Sequence, residues 1–103
     1  MITVLRSAQV NQGASGQEVF EWSVKVAIFL NKNWGTDTKV HSIFGGNVFQ
    51  VNWITTYDSL AHLEELSQKF ESDPAYISMI NEARDASYFR TDSVCDTVFR
   101  AVH

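Results

Sequence analysis

The stretch of sequence that decides the fold runs from Gly45 to Leu66 and reads GGNVFQVNWITTYDSLAHLEEL. Its opening Gly-Gly pair, 45–46, predicts a two-residue hairpin turn, because glycine takes positive φ at both central positions without strain. The β-branched and aromatic residues at 48–57 predict a strand. After Asp58-Ser59, a good N-cap, leucines recur at helical spacing. The stretch therefore predicts a turn, a strand and the start of a helix in unbroken succession.

Three further strands are predicted on either side of this stretch. Residues 2–10 alternate apolar and polar side chains, residues 38–44 lead into the Gly-Gly turn, and residues 94–102 alternate again near the end of the chain. Each of these segments has the length of an ordinary strand. The sequence therefore predicts four strands in all.

Two helical regions lie between the strands. Ser15 and Glu18 stand at capping-box spacing and predict the start of the first helix, which Gly35 ends. The second region starts after residue 58 and is interrupted at Asp73-Pro74, where the aspartate can cap and the proline suits the first position of a new helix. It is predicted to end near Tyr88. Trp22 and Tyr76 belong to the apolar stripes of these helices.

The resulting order, β-α-β-β-α-β, predicts an α+β, ferredoxin-like fold in one domain over residues 1–103. In this fold a four-stranded antiparallel sheet carries the helices on one face. The other face would present Leu5, Ile43, Val48 and Ile54, which together are too apolar to remain in water. The sequence therefore predicts a homodimer in which the bare sheet faces of two copies meet.

The composition excludes several classes of partner. Eight basic and twelve acidic residues give a net charge of −4, which argues against nucleic acid, since phosphate binding needs a basic face. No apolar run reaches membrane-spanning length and no basic-then-apolar leader opens the sequence, so no membrane partner is expected. The single cysteine excludes a disulfide framework, and we expect a cytoplasmic protein. No histidine or cysteine pair has metal-ligand spacing, so neither a metal nor a cofactor is expected.

Arg6, Trp53 and Tyr57 are the candidate ligand-binding residues. The first and third strands lie side by side in the centre of the predicted sheet, and these three side chains fall on the strand phases that face the helices. Arg6 is expected to be buried, as a clamp for an anionic or carbonyl group of a ligand or as one half of a structural ion pair. Trp53 and Tyr57 form either a pocket wall or ordinary core. For the structural alternative, the expected partner of Arg6 is a helix carboxylate: Glu18, Glu21 or Glu64.

The histidines and the cysteine are expected to lie away from this pocket. A two-residue turn pairs Ser42 with Phe49, which places His41 beside Gln50 and on the face opposite Trp53. A three-residue turn would reverse that face.

His62, among charged neighbours on the first helical turn, is expected to be solvated. Cys95 begins the last strand with no histidine beside it. It is therefore expected to be a small buried thiol and not a nucleophile.

Several short motifs match a known family. An arginine of the first strand, the glycine that follows that strand, a Tyr-x-Ser-Leu run into the second helical region and a later Asp-Pro-x-aromatic are all present. They are Arg6, Gly13, Tyr57, Ser59, Leu60, Asp73, Pro74 and Tyr76. On these motifs the chain resembles the dimeric α+β barrel superfamily, and within it most resembles the NIPSNAP family. It departs from that family's pattern at Ala8, Gln12, Thr55 and Leu63, where the family carries an aromatic, a proline, a tryptophan and an arginine.

The resemblance implies a range of functions, because one fold hosts many. The relatives include cofactor-free antibiotic-biosynthesis monooxygenases, haem-degrading monooxygenases and stress-responsive barrel proteins. The haem-degrading relatives take their axial ligand from the helical region between Leu63 and Val102, where this chain has no histidine, so haem chemistry of that kind is not expected.

Three functions stay open from the sequence. The first is a homodimer that binds a small, partly aromatic molecule between sheet and helices, with the reaction undetermined. The second is a cofactor-independent monooxygenase of aromatic polyketide-like substrates, in which Arg, Tyr or Asn donors stabilise a substrate anion. The third is a non-catalytic dimeric scaffold or interaction module.

Overall fold

The computed structural model describes residues 1–43, 45–46 and 48–102. Its strands form one antiparallel four-stranded sheet in the order β2-β3-β1-β4, with three helices, so the predicted ferredoxin-like α+β fold is confirmed. A short 3-10 turn at Thr91–Ser93 precedes the last strand. In chain order the elements are β1 (Ile2–Gln9), α1 (Gly16–Trp34), β2 (Asp37–Ser42), β3 (Gln50–Tyr57), α2 (Leu60–Ser72), α3 (Pro74–Asp85) and β4 (Cys95–Arg100).

Helix α1 begins and ends where its capping residues predict. The Ser15 hydroxyl accepts a hydrogen bond from the backbone N–H of Glu18 at 3.4 Å, which satisfies one of the free donors of the first turn. Gly35 ends the helix with φ +67, a left-handed conformation that costs glycine little.

The predicted break in the second helical region separates α2 from α3. An Asp73 carboxylate oxygen accepts a hydrogen bond from the N–H of Ala75 at 2.9 Å, and Pro74 opens α3. Helix α3 ends at Asp85, earlier than the predicted end near Tyr88. Ser87 then takes a left-handed φ of +54, which turns the chain away from the helix axis.

The connection between β2 and β3 is longer than predicted. Ser42 ends β2 and pairs with Val51, not with Phe49, so the two-residue hairpin is wrong. The physical reason is that the Phe49 carbonyl accepts a hydrogen bond from the N–H of Val10 at 2.8 Å, which extends the contact of β3 with β1. The predicted end of β2 at Phe44 lies outside the described residues.

The change of register moves the pairing by two residues, so every side chain keeps its predicted face. His41 pairs with Asn52 and therefore lies on the face opposite Trp53, as expected. Arg6 lies directly across from Trp53, and Ile2 from Tyr57, on the two central strands. The face that carries Arg6, Trp53 and Tyr57 is the one the helices cover.

The apolar core beneath the helices is divided into two clusters. Trp22, Val26, Met79 and Ala83 form the buried part of the first cluster, between α1 and α3. The buried residues of the second are Ile2, Tyr57 and Leu66, with the half-buried Trp34 and Phe70 packed against them. The two clusters meet where the rings of Phe70 and Tyr76 pack against each other, with centroids 5.6 Å apart.

The opposite face of the sheet is only partly covered in the single chain. Leu5, Ile43 and Ile54 are half-buried, Val48 is exposed, and 49% of Phe99 is exposed.

Cys95, expected to be buried, is exposed. The reason is that β4 lies at the edge of the sheet, beside β1, and all six of its residues are exposed. Within the described residues, no helix has the length and apolar character that crossing a membrane requires.

Candidate functional site

A cavity of about 150 Å³ lies between the sheet and the helices and is lined by residues of both core clusters. An apolar cavity of about this volume is large enough to hold a benzene ring. All three candidate residues from the sequence, Arg6, Trp53 and Tyr57, are on its wall. The structure thus brings them together, while their role in binding a ligand stays a prediction.

Two tryptophans form the aromatic wall on the α1 side. The rings of Trp22 and Trp53 meet edge to face, with centroids 6.3 Å apart. The indole N–H of Trp22 donates to the Met79 carbonyl at 3.0 Å, and that of Trp53 donates to the Ser23 carbonyl at 3.2 Å. Because both N–H groups are used by the fold, these rings offer a ligand apolar and π surface held in a fixed orientation.

Tyr57 provides a polar group on the other side of the cavity. The residue is only 7% exposed, and burial raises the pKa of its phenol, so the hydroxyl stays protonated at neutral pH. No hydrogen bond joins this hydroxyl to another described residue. Tyr57 is therefore a neutral donor available to a ligand.

The ring of Tyr57 meets His62 edge to face at 5.7 Å. His62, expected to be solvated, is half-buried against that ring, and its Nδ1 accepts a hydrogen bond from the N–H of Asp58 at 3.4 Å.

Arg6 has a different partner from the one expected. Its Nε and Nη2 donate to the two carboxylate oxygens of Asp96 at 2.7 and 2.8 Å, so the predicted helix carboxylate is wrong. The physical reason is register, since Arg6 and Asp96 are directly opposite on β1 and β4 and share the helix-facing side.

The pair is also more exposed than predicted for Arg6. The side chains are 48% and 42% exposed, because β4 is an edge strand, and the pair lies at the solvent-accessible mouth of the cavity. Hydrogen bonding to Asp96 raises the pKa of Arg6, and hydrogen bonding to Arg6 lowers the pKa of Asp96, so both groups are charged at neutral pH.

Smaller polar groups complete the wall. The hydroxyls of Thr38 and Thr55 bond to each other at 2.8 Å, and Asn31 accepts from the Thr38 N–H at 2.7 Å, so these groups are already satisfied. Ser67 of α2 also lines the cavity, and its hydroxyl has no hydrogen-bond partner among the described residues. Nowhere in residues 1–43, 45–46 and 48–102 are three or more His, Cys, Asp or Glu side chains grouped closely enough to hold a metal ion.

Sequence reasoning named three of the lining residues as site residues and missed the others, among them four that matter for the proposals below. It placed Trp22 and Tyr76 only in helix stripes and passed over Asp96 and Ser67. The position of Asp96 was predictable from the sequence, because the ferredoxin-like strand order pairs β4 with β1 and places an acidic residue of β4 beside Arg6. No signal in the sequence singled out Ser67.

The comparisons with known proteins give different results for sequence and structure. No protein-family model matches the sequence, and a search of curated proteins gives no match either. Solved structures do match. A NIPSNAP domain protein from Burkholderia xenovorans has a TM-score of 0.81 at 12% identity, over 99% of this chain and 95% of that one. A NIPSNAP family protein from Agrobacterium tumefaciens has a TM-score of 0.79 at 17% identity, over 98% and 92%.

A third similar structure is SnoaB, a cofactor-independent oxygenase from Streptomyces nogalater, with a TM-score of 0.70 at 11% identity over 99% of this chain and 93% of that one. At these identities the likeness establishes the fold. The chain has the fold shared by these NIPSNAP proteins and by antibiotic-biosynthesis monooxygenase-like proteins. The resemblance found in the sequence is confirmed at that level.

Proposed function

We propose that the protein is a homodimer that binds a small, partly aromatic molecule in the cavity between its sheet and its helices. The observation that carries this proposal is the composition of the cavity wall. Tryptophan and tyrosine rings surround a space the size of one aromatic ring, and a few polar groups converge on it. An apolar pocket with a small number of placed polar groups is the usual form of a small-molecule site.

The apolar and the polar groups of the wall would contact different parts of the ligand. The fixed rings of Trp22 and Trp53 contact the aromatic part of the ligand. A polar substituent meets the Tyr57 hydroxyl or the Arg6 guanidinium. An arginine side chain carries five N–H donors; Asp96 uses two of them and the Tyr76 hydroxyl also lies beside the guanidinium, so a ligand can reach only the N–H groups that these two residues leave.

The homodimer rests on the face of the sheet turned away from the helices. Leu5 and Ile54 pair across the two central strands there, and Phe99 of β4 adds a half-exposed ring on the same face. A second copy packed on this face buries these side chains, and sheets commonly pack face to face in this way.

Mass spectrometry of the protein as purified tests ligand binding. Under native conditions we expect a species heavier than the protein, and denaturation should release a small molecule with an aromatic ring. The variant Arg6→Met should still fold, because the ion pair is half-exposed and contributes little to stability, and it should lose the bound mass. A protein that carries no ligand and binds no small aromatic compound in titrations would contradict the proposal and favour the scaffold alternative.

Cofactor-independent oxygenation is the second candidate function. It is favoured by the likeness to the Streptomyces oxygenase and by the free donors of Tyr57 and Arg6, which would stabilise an anion formed on a bound hydroxyaromatic. Protein-dependent uptake of dioxygen with an added hydroxyaromatic, lost in Arg6→Met, would establish it. Ligand binding without oxygen uptake would leave the binding function alone.

A further inference from the structure

The cavity has two charged residues among the described residues that line it, and their charges cancel. Arg6 and Asp96 form a two-pronged ion pair at the mouth, and the rest of the wall is aromatic, aliphatic or hydroxyl-bearing. Leu63 of α2 adds apolar surface and no charge. A ligand that enters therefore meets a site with no net charge.

Asp96 occupies the edge of the guanidinium that would otherwise receive a carboxylate. The fork of Nε and Nη2 is the geometry in which arginine binds carboxylates most strongly, and both prongs are taken at 2.7 and 2.8 Å. A ligand carboxylate near Arg6 would also lie a few ångströms from the Asp96 carboxylate. Two like charges at about 4 Å repel one another strongly at the effective dielectric of a protein surface.

A neutral polar group fits the same pair without repulsion. The guanidinium has donors beyond the two that Asp96 takes, with the Tyr76 hydroxyl beside them. The Asp96 oxygens, each with more than one acceptor direction, can receive an N–H or O–H. An acceptor beside a donor, as in an amide, therefore finds a partner for each. The pair is accessible to such a group, since 48% of Arg6 and 42% of Asp96 is exposed at the mouth.

We propose that Asp96 determines the specificity of the cavity, and that it selects uncharged aromatic ligands with an acceptor next to a donor over aromatic carboxylates. The selection rests on the proposed function, because it describes which ligand that site takes. Asp96 acts as a resident anion: it neutralises Arg6, occupies the carboxylate fork and leaves the remaining donors for a neutral group.

Three probes of almost identical shape and different charge test this selection: benzamide, which is neutral, benzoate, an anion, and benzamidine, a cation. Binding to the wild-type protein and to Asp96→Asn and Arg6→Gln is measured at pH 7 by ligand-observed NMR titration. The control variant is Glu65→Gln, which changes the net charge by the same amount as Asp96→Asn. It breaks the surface ion pair between Glu65 and Lys69, which lies outside the cavity. Circular dichroism confirms that each variant is folded.

The wild-type protein should bind benzamide at least about tenfold more tightly than benzoate. Asp96→Asn should strengthen benzoate binding by at least about tenfold and change benzamide binding by less than about threefold. Arg6→Gln, which leaves Asp96 unpaired, should strengthen benzamidine binding to a similar extent. Glu65→Gln should match the wild type for all three probes.

Two kinds of result overturn the inference. Equal or tighter binding of benzoate by the wild type would do so, as would benzoate affinity that Asp96→Asn leaves unchanged. In either case the ligand site itself would stand, because the probes bind. Failure of all three probes to bind any folded variant would instead refute the proposed function, and the specificity with it. The opposite signs expected for Asp96→Asn and Arg6→Gln keep the test decisive if one of the two does not fold.

Discussion

Replacing Ser67 with leucine fills part of the cavity from the α2 side. Ser67 lines the cavity, is half-buried and makes no hydrogen bond to another described residue. Replacing its hydroxyl therefore breaks no hydrogen bond within the described part of the protein. The leucine side chain would occupy space that the proposed ligand needs. We expect Ser67→Leu to stabilise the protein and to abolish ligand binding.

The size of the stabilisation follows from the carbon atoms added. Leucine has three carbons beyond Cβ, and burial at about 0.8 kcal/mol for each gives roughly 2 kcal/mol. Loss of leucine rotamer freedom removes about 0.5–1 kcal/mol of this gain. The net gain is about 1–2 kcal/mol, and at about 4–8 °C per kcal/mol for a domain of this size Tm should rise by roughly 4–16 °C.

Thermal unfolding and benzamide titration measure the two effects on the same sample. The matched control is Ser78→Leu, the same change at an exposed position of α3, which should alter neither Tm beyond a degree or two nor benzamide affinity. A Tm below that of the wild type would show that the space beside Ser67 cannot accept apolar atoms. Full benzamide binding by a stabilised Ser67→Leu protein would place the ligand somewhere else.

Three further outcomes follow from the same contacts. Light scattering should give the mass of a dimer for the wild type. Ile54→Lys puts a charge on the sheet face proposed for the interface and should give a monomer or an unfolded chain. A wild-type monomer at micromolar concentration would contradict the proposed dimer. Cys95→Ala should change the free energy of unfolding by less than about 0.5 kcal/mol, since the thiol is exposed, and should leave benzamide binding intact; loss of binding by the folded variant would give the thiol a role. Arg6 lowers the pKa of Asp96, so the ion pair stabilises the fold at pH values above the ordinary pKa of 3.8, and this contribution is lost as the pH falls through the lower pKa of the folded state. The free energies of unfolding of the wild type and Asp96→Asn, measured by denaturant titration, should therefore converge at low pH, and a difference that does not change with pH would count against the pair.

The fold was predictable because its signals are local. The Ser15 cap, the left-handed Gly35 and the Asp73-Pro74 break each act within a few residues, and each fixes a helix boundary in the structure. The alternation of the central strands placed Arg6 and Trp53 on the helix-facing side because side-chain direction in a strand has a period of two.

The errors came from longer-range geometry. A Gly-Gly pair predicts a tight turn, but the Phe49 carbonyl accepts a hydrogen bond from the N–H of Val10, just after β1, and this contact joins distant parts of the chain. The sequence favours a helix carboxylate as the partner of Arg6, because it does not show how far the helices extend over the sheet. The burial predicted for Cys95 is wrong for another reason. The alternation of apolar and polar residues is the same in a central strand and in an exposed edge strand.

The cavity itself could not be read from the sequence. Trp22 and Tyr76 have the helical spacing of ordinary core residues, and nothing in that spacing says whether a cavity lies beside them. A cavity is a small mismatch in packing between elements, and it depends on distances that the pattern of apolar residues does not contain.

The three tryptophans allow the central claim to be tested within the intact protein. Trp22 and Trp53 line the cavity, whereas Trp34 is packed in the second cluster and is not on the cavity wall. In a titration with benzamide followed by ¹⁵N-resolved NMR, the indole N–H resonances of Trp22 and Trp53 should shift and that of Trp34 should stay in place. Three unmoved indole signals at high benzamide concentration, or a shift largest at Trp34, would contradict a ligand site between the sheet and the helices.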